Sequence, residues 1–181
     1  MNNQKVINII KSNPQLVVFV GFFIYAFSLG AMFPRLDDIQ TSLEIDKAEL
    51  GFLLLCIPLG LQVTLVFADR LVRAIPLKNI VCIGIPSICL MQFAAVAVNQ
   101  ISFFAFFLIV CGAFVAVVEV AINLEADRVE HALGSRIMNR SHAFWSIGFF
   151  LAAVVGALFS QFKVMLEIHF LLICVISFVT S

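Results

Sequence analysis

Charge is what this sequence lacks most. Only 12% of its 181 residues are Asp, Glu, Lys or Arg, half the usual share of a soluble domain. The 11 basic and 11 acidic residues cancel, so no basic excess speaks for nucleic acid or for an anionic surface. Long polar stretches are missing too, and with them any soluble domain, linker or low-complexity segment. The five cysteines, at 56, 82, 89, 111 and 174, all fall inside apolar runs, and their spacing matches no metal motif. They read as small buried apolar side chains. No nucleophile elbow or zinc motif is present, so no catalytic constellation, metal or cofactor is expected. No small-residue cleavage site follows the first apolar run, which reads as an uncleaved span, not a signal peptide.

What is there is hydrocarbon. Hydrophobic residues make up 62% of the chain, and mean hydropathy is +1.11. A water-soluble fold of this size has nowhere to hide so much apolar surface, so the bilayer is the solvent that suits it. Runs near the ~20 residues needed for a crossing predict an all-α membrane protein of six spans, at about 14–33, 48–68, 79–98, 101–123, 141–162 and 164–181. Asn13 and Pro14 form a helix start, Asn99 and Gln100 a tight turn, and Ser141 a cap for the fifth span. Segments 69–78 and 124–140 read as charged connections. The sixth run is short and has no polar tail after it, which reads as a sequence cut off before its end.

Orientation follows from the basic residues. With the N-terminus in the cytoplasm, Lys5, Lys11, Arg70, Arg73, Lys78, Arg128, Arg136 and Arg140 lie inside, and Arg35, Lys47 and Lys163 outside. The expected location is a bacterial inner membrane.

Chemistry is sought among the few polar groups inside the spans. Glu119 comes first. An ionised carboxylate in a spanning helix costs about 2.5–3.5 kcal/mol on insertion scales, and taking a proton removes that cost. A group that must choose between a proton and a partner suits proton coupling; the plainer reading is a structural hydrogen bond to a neighbouring helix. Gly112, Ala116, Glu119 and Asn123 share one helical stripe, and Asn123 supplies both donor and acceptor. His142 and Ser146 share a face of the fifth span; Tyr25, Ser28 and Arg35 share one of the first. Each is a candidate for a polar cavity, set against packing or, for Arg35, snorkelling to the headgroups. Trp145 reads as an interface anchor. Gln62 and Gln92 are equally ligand contacts or interhelical glue. Pro58 and Pro86 are kink sites.

Several segments resemble the major facilitator superfamily. Asp69, Arg70 and Arg73 after span 2 match its loop motif G-x-x-x-D-R-x-G-R followed by R or K, with Leu65, Val72 and Ala74 in place of the glycines and the last basic residue. Phe33-Pro34-Arg35-Leu36 with Ile39, Leu50 and Gly51 looks like the first connection of a bacterial branch near the fucose permease. Glu119-Val120-Ala121-Ile122-Asn123 is similar to that branch's span 4 signature. Met138, Ser141-His142-Ala143-Phe144-Trp145-Ser146 and Gly148 resemble its span 5 entry. The resemblance implies the N-terminal half of a twelve-span fold with 3+3 inverted repeats, and secondary transport of a small polar solute, sugar-like or another metabolite, by alternating access. It implies proton coupling at Glu119, a gating role for the Asp69, Arg70 and Arg73 loop, and a C-terminal half as partner. The branch also uses an acid in span 1; here Asp37 and Asp38 stand only at that span's outer end. Efflux by the same superfamily, and a non-transporting six-span scaffold or truncated gene product, are the alternatives. An intramembrane hydrolase built from His142, Ser146 and His169 is the weakest reading.

Overall fold

The computed structural model describes residues 13–98 and 100–180. Lys5, Lys11, Asn99 and Ser181, used above for orientation, a turn and a span end, lie outside them. Among the described residues the fold is all helical: α1 (Pro14–Gly30), a 3-10 turn (Phe33–Arg35), α2 (Leu36–Leu43), α3 (Lys47–Leu54), α4 (Cys56–Ala74), α5 (Leu77–Val98), α6 (Ile101–Leu133), α7 (Met138–Gln161) and α8 (Leu166–Thr180). Five helical stretches among the described residues are long and apolar enough to cross a bilayer: 14–43, 47–74, 77–98, 101–133 and 138–161. With the apolar helix α8 they make a helical membrane bundle. At 1.5 Å per residue, α8 spans roughly 22 Å against a hydrocarbon core of about 30 Å.

Proline punctuates the first two spans. Pro34 has no N–H to offer the Gly30 carbonyl, and the first span breaks after Gly30 before resuming as α2. Pro58 has no N–H to offer the Leu54 carbonyl, and the second span divides at Leu55. Pro86 leaves α5 unbroken; next to it the Ser87 hydroxyl donates to the Ile83 carbonyl at 2.8 Å. Between α2 and α3, Asp46 and Glu49 form a reciprocal capping box, each side chain accepting the other's backbone N–H.

Charged residues do not stop the helices where expected. The second span stays helical to Ala74, with Arg73 paired to Asp69 at 3.0 Å one turn back, so the 2–3 connection shrinks to Ile75 and Pro76. The fourth continues past 123 to Leu133, with Glu125 paired to Arg128 and Asp127 beside His131. Such i,i+3 and i,i+4 pairs support a helix that has left the hydrocarbon. It ends at Gly134, whose φ of 60° suits glycine.

Ser141 does not cap the fifth span. It sits one turn inside the helix, where its hydroxyl donates back to the Ile137 carbonyl. The capping group is Glu130, whose carboxylate accepts from the backbone N–H groups of Ile137 at 2.7 Å and Met138 at 2.9 Å. Glu130 thus ties the end of α6 to the start of α7. Glu130→Ala is expected to loosen segment 134–137 and to speed tryptic cleavage at exposed Arg136 several-fold in detergent, with little change at other sites.

The helix pairing is crossed. α1 packs along α7, and α4 along α6; α5 lies against both α6 and α8. Exchanging spans 1, 2 and 3 with 4, 5 and 6 maps the first pair onto the second, the relation that two interlocked three-helix units produce. Glycine makes both contacts. A Cβ on Gly60 would collide with the Ile109 carbonyl, and one on Gly112 with the Ile57 carbonyl. Gly148 likewise receives the Phe23 carbonyl, while Gly30 faces Ala152 and Phe149 at 3.1 Å. Missing side chains let backbones touch, as membrane helix pairs require.

Candidate functional site

α6 turns Val115, Val118 and Ile122 into a core shared with Phe22 and Tyr25 of α1 and Ile85 and Ile88 of α5. This choice of inward face leaves Glu119 on the outward one, exposed. Its carboxylate sits beside Tyr25, whose hydroxyl donates to it at 3.5 Å, the long limit of a hydrogen bond. Tyr25 itself is only 3% exposed, so its phenol reaches from the core to the rim of the carboxylate. It lies 11 residues into α1, about 16 Å along the helix and so near the middle of that span. Glu119 takes part in no ion pair among the described residues.

The predicted stripe on α6 runs from closed to open. Gly112 and Ala116 are buried, Gly112 against the second span; Asn123 is half-buried and Glu119 exposed. The Asn123 amide donates at 2.8 Å to the Glu119 backbone carbonyl, so it engages its own helix and not the carboxylate.

On the other flank of α1, His142 is exposed and meets Phe22 edge-on, with ring centroids 5.3 Å apart. Ser146 is exposed and donates to the His142 carbonyl at 3.0 Å. Trp145 is half-buried, stacked on Phe149 at 5.2 Å and packed against the Tyr25 core. Tyr25 and Phe22 thus bring Glu119 and His142 to the two sides of one helix.

The other candidates are dispersed. Ser28 is buried beside the Cys89 thiol. Gln92 is enclosed, donating to the Leu29 carbonyl at 3.4 Å, and so joins α5 to α1 inside the bundle. Gln62 is exposed at the edge of a shallow apolar groove with Phe52, Leu55 and Pro58. Asp69, Arg70 and Arg73 are exposed together at the end of α4.

Arg35 departs most from its sequence reading. It does not snorkel; it is 2% exposed and turned inward. It forms an ion pair with Asp38, donates to the Val164 carbonyl at 2.6 Å and reaches His169 Nδ1 at 3.4 Å. Sequence reasoning missed this cluster. The i,i+3 spacing of Arg35 and Asp38 was the only signal, because His169 stands 134 residues away.

No family model matches the chain, and no solved structure matches it. Two bacterial proteins do. One, 28% identical over 76% of this chain, is an uncharacterized MFS-type transporter of Yersinia pestis. The other, 29% identical over 87% of it, is an uncharacterized transporter of Sinorhizobium fredii. The chain is similar to membrane transporters. It spans 35% and 42% of the length of these two relatives. Both relatives are named as transporters.

Proposed function

We propose that this chain is the first six-span bundle of a major facilitator transporter, which moves a small polar solute by alternating access with protons as the coupling ion. The observation that carries the reading is Glu119. It is a carboxylate on the outward face of an apolar helix, level with the middle of the first span, its described side-chain partner a tyrosine hydroxyl. Facing lipid, that arrangement costs energy for nothing. Facing a solute path between this bundle and a second one, it provides a site that gains or loses a proton as access changes. A second bundle is in keeping with the greater length of the relatives. His142 and Asn123 would border the path, Gln62 would lie toward its edge, and Asp69, Arg70 and Arg73 would meet the second bundle at the cytoplasmic face.

This reading places the protein in a bacterial inner membrane with the N-terminus inside, following the basic residues. Coupling needs the proton to be held differently in the two facing states. Glu119 meets that need if Tyr25 donates to it in one state and withdraws in the other.

The test is solute-evoked proton movement. In vesicles carrying the protein, a pH-sensitive dye is expected to report proton flux on addition of one member of a panel of neutral sugars, polyols and small organic acids. The direction of flux separates uptake from efflux. Solute movement without any proton flux would remove the coupling, and silence across the panel with no solute movement would favour a scaffold.

A further inference from the structure

The Arg35 cluster joins three parts of the chain at the end of the bundle that carries the 1–2 and 5–6 connections. Arg35 closes the 3-10 turn after the first span, Asp38 lies in α2, Val164 in the turn before α8, and His169 in the first turns of α8. The packing around it is tight. Pro34 occupies the space that Gly156 leaves open on α7, and the His169 ring lies against the same glycine and edge-on to Phe159, 5.0 Å away. His169 is fully enclosed.

Geometry fixes the protonation of that ring. A guanidinium has donors only. The Nδ1 atom that faces Arg35 Nη1 at 3.4 Å must therefore hold a lone pair, which puts the single ring proton on Nε2. Nε2 is enclosed and has no hydrogen-bond partner among the described residues. A second proton on Nδ1 would set two N–H groups, and two cations, face to face.

We propose that Arg35, Asp38, the Val164 carbonyl and His169 form a proton-responsive latch, which holds the 1–2 connection against α8 while His169 is neutral and releases it when His169 takes a proton. Asp38 already neutralises Arg35, so it offers the added charge little compensation. The remaining charged groups at this end are Asp37 on α2, Glu44 and Asp46 between α2 and α3, Lys47 and Glu49 on α3, Lys163 in the turn and Glu167 on α8, all exposed. α1 carries no charged residue; the charged residues of α5 and α7, Lys78 and Arg140, and the titratable His142 lie at those helices' other ends. Nothing at this end but Arg35 and Asp38 therefore meets the imidazole directly.

The sign follows. The latched state binds one proton fewer than the released state, so acid favours release. A histidine of ordinary pKa, about 6.5, in the released state shifts the latch equilibrium about 30-fold between roughly pH 7.5 and pH 5.

The latch needs no transport to be observed. Hydrogen exchange of the chain in lipid nanodiscs, corrected for intrinsic rates, should show protection in segments 31–43 and 162–170 falling about 30-fold over that pH range, and segments 105–120 unchanged. His169→Asn keeps an acceptor near the Nδ1 position and cannot take the proton. It should retain the neutral-pH protection and lose the pH response. Unchanged wild-type protection across the range, or the same pH response in His169→Asn, would overturn the latch. Nitrogen NMR of the wild type gives an independent check that requires no variant. An imidazolium signal from His169 while both segments remain protected would also overturn it.

Discussion

Glu119→Gln is expected to abolish solute accumulation driven by a pH gradient while leaving solute exchange across the membrane at equal concentrations near wild type. The amide keeps the shape of the carboxyl group and its ability to accept from Tyr25, but it cannot carry a proton. A coupled carrier that loses its proton site still alternates when solute is bound on both sides, so exchange survives and accumulation does not. Tyr25→Phe removes the hydroxyl that reaches Glu119 at 3.5 Å. It should displace the pH profile of accumulation and not eliminate transport, since a bond of that length contributes modestly. Accumulation and exchange are read with the same labelled solute in the same vesicles. Full accumulation by Glu119→Gln would take the proton away from this residue. Equal loss of both activities would assign Glu119 to binding or folding.

The second large effect concerns stability. Gly112→Val and Gly148→Val should each cost about 3 kcal/mol, the upper part of the range for overpacking. At both sites the obstacle is a backbone carbonyl, of Ile57 and of Phe23, which cannot swing aside as a side-chain tip does. The two variants strike the two crossed helix pairs, α4 with α6 and α1 with α7, so similar losses would mark the pairs as equivalent. Gly51→Ala is the contrast. Nothing lies within 4 Å of its Cβ position, and an alanine in that helix should stabilise by up to ~1 kcal/mol. Unfolding of the purified protein by a rising fraction of denaturing detergent measures all three. A loss under 1 kcal/mol at Gly112 and Gly148 would mean that these helices are not in close contact in the membrane.

The apolar runs were legible because lipid imposes a simple rule: a segment without charge for about 20 residues has few other places to be. Helix ends were not legible by that rule. Charge marks where a chain leaves hydrocarbon, and the helix need not stop there. Glu125 with Arg128, and Asp69 with Arg73, stabilise helical turns in water that the sequence reading took as connections. The cap of α7 was misplaced for a related reason. Ser141 has a capping side chain, but the N–H groups at the helix start were already taken by Glu130, eight residues before Met138. Arg35 illustrates the limit most clearly. Position alone makes it a snorkelling residue, and only the return of the chain at Val164 and His169 supplies the acceptors that turn it inward.

By itself the sequence determined the solvent, the secondary structure and the approximate number of crossings, since each depends on the composition of a local stretch. It also singled out Glu119, because an acid in such a stretch is conspicuous whatever surrounds it. Only the tertiary structure decided which way each polar group faces. A helix with apolar residues on every side has no intrinsic inside, and its orientation is set by where a neighbour's backbone can approach. Gly60, Gly112 and Gly148 permit that approach, and Gly156 admits Pro34 and the His169 ring; Glu119 is left on the open face and His169 on the enclosed one.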